Sequence, residues 1–92
     1  MPSNADLGQA IRRLRWDRNL TIEALAFAAG MHPTYLSGIE RGRRNPTWAR
    51  ITGLARALGV PFAVLLETAE QEGEVARAVR ETRARIAVGN TR

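Results

Sequence analysis

Ninety-two residues with no cysteine and a single histidine, His32, exclude a disulfide framework, a thiolate metal site and a histidine cluster. The formal net charge is +5 and all 14 basic residues are arginine; residues 1–66 hold nine of them against four acids, whereas residues 67–92 hold five against five. So uneven a surplus points to a polyanionic partner, nucleic acid first, and the length points to one small domain with a terminal appendage, its core thin enough to gain from a partner chain.

The opening MPSNADLGQA has neither a basic patch nor an apolar run, so no secretory signal is expected. No apolar stretch approaches membrane-spanning length, and no membrane partner is expected. From there on the apolar periodicity is helical, with no alternating strand pattern. Leu7, Ala10, Ile11 and Leu14 follow i, i+3, i+4, i+7 and predict a first helix capped by Asp6 and running to about Arg18. Thr21 caps a second, carrying Ile22, Leu25, Ala26 and Ala29, which Gly30 ends. His32 is read as a cap or turn residue, and Pro33 suits the first turn of a third helix, where an N–H has no intrahelical partner. That helix turns Leu36 and Ile39 inward and ends near Gly42.

After the turn RNPT, Thr47 caps a fourth helix with Ile51, Leu54, Ala55 and Leu58 inward, ended by Gly59. Gly53 inside it costs about 1 kcal/mol relative to alanine, which a close approach of two helices would justify. Pro61 opens a short fifth helix with Phe62, Leu65 and Leu66 on its apolar side. Trp16 and Trp48 are read as packing residues, with an interface role the alternative for Trp48. The expected division is a compact helical domain over residues 1–67 and a helical extension over 68–92, its firm part starting near Glu74. On that extension Val75, Val79, Thr82 and Ile86 form a stripe too thin for a core of its own, and Glu81 and Arg85 stand at i, i+4. The stripe is a candidate dimer interface, the alternatives being a helix packed on its own domain or a mobile extension.

Helices two and three decide the fold class. Within a twenty-residue window starting at Ile22, Ala26 stands at position 5, Gly30 at 9, Leu36 at 15 and Ile39 at 18. Ala26 must be small where the third helix crosses, and Gly30 supplies the left-handed turn. This is helix-turn-helix spacing, whose second helix enters the DNA major groove. The fold class expected is all-α: a compact five-helix repressor-like helix-turn-helix domain plus a C-terminal helix.

Residues 7–66, with LR in the first helix, LA in the second, then YLSGIERG, NPT and LARALGV in order, resemble the helix-turn-helix domain of phage Cro and repressor proteins, the xenobiotic-response-element family. The resemblance implies a cytoplasmic, nucleoid-associated protein of bacterial or phage origin that binds double-stranded DNA without catalysis, metal, cofactor or small-molecule ligand. It implies a transcriptional regulator, a repressor above all, working as a homodimer on an inverted-repeat operator. An antitoxin, a restriction–modification controller, or a protein-interaction module that has lost DNA stays open beside it.

Carried onto this chain, the family's base-reading positions fall on Pro33, Thr34, Ser37, Gly38 and Arg41. Pro33 and Gly38 offer no side-chain hydrogen bond, so direct readout would rest on Thr34, Ser37 and Arg41, with DNA shape supplying much of the specificity. Phosphate contacts are expected from Arg43, Arg44 and Asn45, and Tyr35 is read equally as a phosphate contact or as packing over the turn. Ile22 stands where the family commonly has a glutamine on phosphate, which leaves only the N–H groups of the second helix to bind there. Arg12, Arg13 and Arg18 are read equally as backbone contacts or as solvated charges. Glu40 lies inward and needs a partner; the resemblance pairs it with Arg15. No nucleophile–base–acid set appears, and no enzyme is expected.

Overall fold

The structure, a computed structural model, describes residues 1–90. Residues 91 and 92, the end of the expected extension, lie outside the described residues. The described chain is all-helical: α1 (Asn4–Asp17), α2 (Ile22–Ala29), α3 (Pro33–Glu40), α4 (Trp48–Leu58) and α5 (Phe62–Asn90). Among the described residues no single helix is long and apolar enough to cross a membrane.

Three of the four short helices are capped where the sequence places the caps. The Thr21 hydroxyl accepts from the Ala24 N–H at 3.0 Å, His32 Nδ1 from Thr34 at 3.1 Å and the Thr47 hydroxyl from Arg50 at 3.2 Å. The first is different. Asp6 is not the N-cap of α1; Ser3 is, its hydroxyl accepting from the Asp6 N–H while the Asp6 carboxylate accepts from the Ser3 N–H at 3.0 Å. A reciprocal capping box satisfies two orphan donors at once and wins over a single acidic cap. Gly30, at φ 69°, makes the left-handed turn between α2 and α3.

The core is one cluster fed by every helix, with Ile11, Leu25, Leu36, Ile39, Leu54, Leu58 and Leu65 at or near full burial. Gly8 sets its tightest crossing. A β-carbon there would collide with the Ile39 carbonyl oxygen and stand 2.5 Å from that of Glu40, so α1 lies directly on the last turn of α3. Gly53 has no such reason: a β-carbon would come no nearer than 3.9 Å to the Ala29 carbonyl, an ordinary contact, and the expected close approach is absent there.

The fifth helix is longer than expected. It does not stop at Leu66, and no break separates an extension beginning at residue 68; one helix runs from Phe62 to Asn90. Ala69 is fully buried, Glu72 pairs with Arg13, and a β-carbon on Gly73 would stand 2.7 Å from the Asp6 carboxylate. Glycine at 73 therefore lets the start of α1 close onto α5, and that packing overrides a helix cost of about 1 kcal/mol. Beyond it Val75, Val79 and Ile86 are exposed, so the stripe does not fold back on its own domain. Trp16 and Trp48 are also mostly exposed rather than packed inside. Trp16 has the Arg12 guanidinium over its ring, and the Trp48 ring lies 4.7 Å from that of Phe62.

Candidate nucleic-acid interface

The α2–turn–α3 unit is held from behind by ion pairing. Glu40 closes α3 and is 2% exposed. Arg15 in α1 donates to both its carboxylate oxygens, Nε at 2.8 Å and Nη2 at 3.0 Å, and Nη1 donates to the Leu20 carbonyl at 2.9 Å. Arg12 adds a third donor at 3.3 Å. A buried carboxylate is costly unless its lone pairs are filled; bidentate arginine fills them in fixed geometry. Among the described residues no buried side-chain nitrogen or oxygen lacks a hydrogen-bond partner. The anchored α3 turns Leu36, Ile39 and Glu40 into the core and leaves Thr34 and Arg41 exposed on the other side, with Pro33, Ser37 and Gly38 half-buried among them.

Pro33, Thr34 and Ser37 share a shallow groove with Thr21, Ile22, Glu23 and Arg15, where the starts of α2 and α3 meet. The Ile22 side chain packs against the core edge. An apolar side chain offers no hydrogen bond to a phosphate, which leaves the first turn of α2, where N–H groups have no intrahelical partner.

The centre of the outer face is not bare. Arg44, in the loop after α3, folds back so that its Cγ would lie 2.8 Å from a β-carbon on Gly38, and its guanidinium stands 5.6 Å from the centre of the Tyr35 ring. Arg50, at the start of α4, stacks at the same distance over that ring and donates to the Gly30 carbonyl at 3.3 Å. Tyr35 is thus a half-buried platform carrying two cations. Arg41, Arg43 and Asn45 are exposed nearby, and among the described residues neither Arg41 nor Arg43 pairs with an acid.

The α1 arginines go elsewhere. Arg12 is taken up by Glu40, Arg13 by Glu72, and Arg18 donates to the Leu58 and Leu14 carbonyls, tying the ends of α1 and α4 together. Each has an intramolecular partner, although Arg13 and Arg18 remain exposed at the surface. Sequence reasoning missed Arg50, whose spacing from Tyr35 carries no motif, and the seat of Arg44; the only available signal for the latter was a glycine inside a short helix. Among the described residues no three His, Cys, Asp or Glu side chains converge to hold a metal ion.

Against known proteins, the sequence profile of a family described as a helix-turn-helix domain matches residues 6–69. Control protein C.BamHI of Bacillus amyloliquefaciens is 43% identical over 61 residues, 65% of this chain and 75% of that protein. The crystal structure of the clp gene regulator ClgR from Corynebacterium glutamicum superposes with a TM-score of 0.83 at 32% identity, covering 96% of this chain and 93% of that one. The restriction–modification controller protein C.Esp1396I, solved as a tetramer on its natural 35 base-pair operator, matches at a TM-score of 0.70 and 30% identity over 75% of this chain and 91% of that one.

Proposed function

The chain belongs to the helix-turn-helix family of DNA-binding transcriptional regulators, of the phage Cro and repressor type, and on that premise we propose that it occupies an inverted-repeat operator as a homodimer and acts as a repressor. The observation that carries the reading is the partition of its arginines. Those of α1 are held by intramolecular partners, while Arg41, Arg43, Arg44 and Arg50 gather around the outer side of α3. An ion-paired helix with cations along its rim is what a groove lined by phosphates accepts.

In this reading Thr34, Ser37 and Arg41 address base edges and Pro33 rests against a thymine methyl. Arg43, Asn45 and the first-turn N–H groups of α2 hold phosphates, Tyr35 positions Arg44 and Arg50, and the glutamine-like contact of the family is lost at Ile22. Short side chains at Thr34 and Ser37 discriminate weakly, so the sequence-dependent shape of DNA contributes much of the specificity. The protein works without catalysis, in the cytoplasm where its operator lies. Selection from random duplexes tests the scheme: a two-fold consensus with half-site centres about 34 Å apart supports it, and no enriched duplex at low salt refutes it.

A second reading is a restriction–modification controller, favoured by the 43% identity to C.BamHI. The two separate on where the selected operator lies: ahead of a restriction endonuclease gene for a controller, elsewhere for a repressor of another unit.

A further inference from the structure

The Tyr35 ring gathers arginines from two different elements. The Arg44 guanidinium reaches it from the loop after α3 and the Arg50 guanidinium from α4, each 5.6 Å from the ring centre. Both side chains are exposed, and among the described residues neither pairs with an acid.

Two features of this arrangement are unfavourable for the protein alone. Like charges are held beside one ring, where they repel. Arg50 also lies in the first turn of α4, its own N–H donating to the Thr47 hydroxyl at 3.2 Å, and that turn contains no acid. The positive end of the helix dipole disfavours a cation at such a place. An anion in front of the ring offsets both. The groups that would meet it are already positioned: the Arg44 stem lies against Gly38, and Arg50 Nη1 donates to the Gly30 carbonyl at 3.3 Å. That single bond leaves the rest of the planar Arg50 fork free for an acceptor.

We propose that Arg44 and Arg50, carried on the Tyr35 ring, form one clamp on the DNA backbone, holding a single phosphate or two successive phosphates of one strand. Phosphates follow each other along a strand at about 3.4 Å of helix axis, so guanidiniums sharing one ring serve neighbours rather than distant positions. Through Arg50 the clamp also ties α4 to the turn between α2 and α3. The inference rests on the DNA-binding reading above and deepens it. It makes Arg50 a phosphate ligand, and it makes Tyr35 the platform for two cations rather than a hydroxyl contact.

Single methylphosphonate linkages, each removing one backbone charge, test the clamp on a duplex obtained by the selection described above, with affinity read by fluorescence anisotropy. For the parent, neutralising a clamped position is expected to weaken binding about tenfold, the scale of one hydrogen bond to a charged group. Arg44→Ala and Arg50→Ala each bind the unmodified duplex more weakly. Within a half-site each loses its sensitivity at one position, and the two positions coincide or are adjacent on one strand. Tyr35→Phe keeps the ring and both sensitivities, whereas Tyr35→Leu lowers both. An Arg50→Ala variant as sensitive as the parent at every position shows only a brace for the α2–α3 turn and overturns the clamp. Sensitivities lost on different strands, or further apart, overturn the shared site. A Tyr35→Phe variant that behaves like Tyr35→Leu overturns the platform. Each of these results leaves DNA binding standing, whereas a selection that enriches no duplex at low salt removes both.

Discussion

The Arg44 stem occupies the space that a side chain at position 38 would need, its Cγ 2.8 Å from the β-carbon that Gly38 lacks. The glycine is the seat of an arginine supplied from outside the recognition helix.

Replacing that glycine separates fold from binding. In Gly38→Ala the obstacle is a flexible side chain, so Arg44 swings away, while a helix-interior glycine is removed, worth about 0.5–1 kcal/mol of stability. Thermal unfolding is expected at or slightly above that of the parent, with duplex affinity reduced. In a double-mutant cycle Gly38→Ala should add little loss to Arg44→Ala, because both remove the same group. Independent, additive losses by fluorescence anisotropy would show that the seat is irrelevant to binding.

Glu40 is predicted to be the most costly single side chain to remove. Glu40→Ala leaves the buried Arg15 guanidinium without its carboxylate, a change of about 3–5 kcal/mol. For a domain of this size that lowers the melting temperature by about 4–8 °C per kcal/mol. Circular dichroism should find the variant largely unfolded well below the parent's transition, and Glu40→Gln, which keeps one acceptor, in between.

Two helical glycines should respond with opposite sign. Gly8→Ala drives a β-carbon into the Ile39 and Glu40 carbonyls. Neither is free to move, so a loss of about 1–3 kcal/mol or more is expected. Gly53→Ala meets only an ordinary contact at 3.9 Å, and the gain in helix propensity should raise stability by about 0.5–1 kcal/mol. Denaturant midpoints measured side by side decide the matter; equal shifts would contradict the packing described.

Salt titrations should sort the arginines. Each phosphate contact contributes about −0.9 to the slope of log affinity against log salt. Arg43→Ala should make that slope shallower by about 1 across unrelated duplexes. Arg18→Ala should leave the slope unchanged and lower the unfolding temperature instead, since its guanidinium is spent on the Leu58 and Leu14 carbonyls.

Those contrasts follow the line between what was legible in the sequence and what was not. Caps at Thr21, His32 and Thr47 are local, decided within three residues, and were readable. So was the inward set of Leu36, Ile39 and Glu40, which depends on helical periodicity alone. The course of α5 through Gly73 was not, because a glycine that weakens a helix by itself is here the price of contact with Asp6, distant in sequence. The same holds for Gly8 against α3 and for Arg44 over Gly38. In each case the deciding partner is brought near only by the fold, and no period or spacing announces it.

The unbroken course of α5 also constrains how this protein can change over time. Along a continuous helix every inserted residue turns the far end by 100° and advances it by 1.5 Å, as a thread does in a screw. A lineage can retune the outer face of α3 one side chain at a time, each step small. Altering the length of α5 offers no such gradation: one residue turns the exposed stripe of Val75, Val79 and Ile86 a quarter-turn out of phase with the outer face of α3, and only additions of about seven bring it nearly back. Sequence drift is therefore free to move the preferred operator by degrees, whereas the geometry between the two ends of the molecule is inherited in jumps.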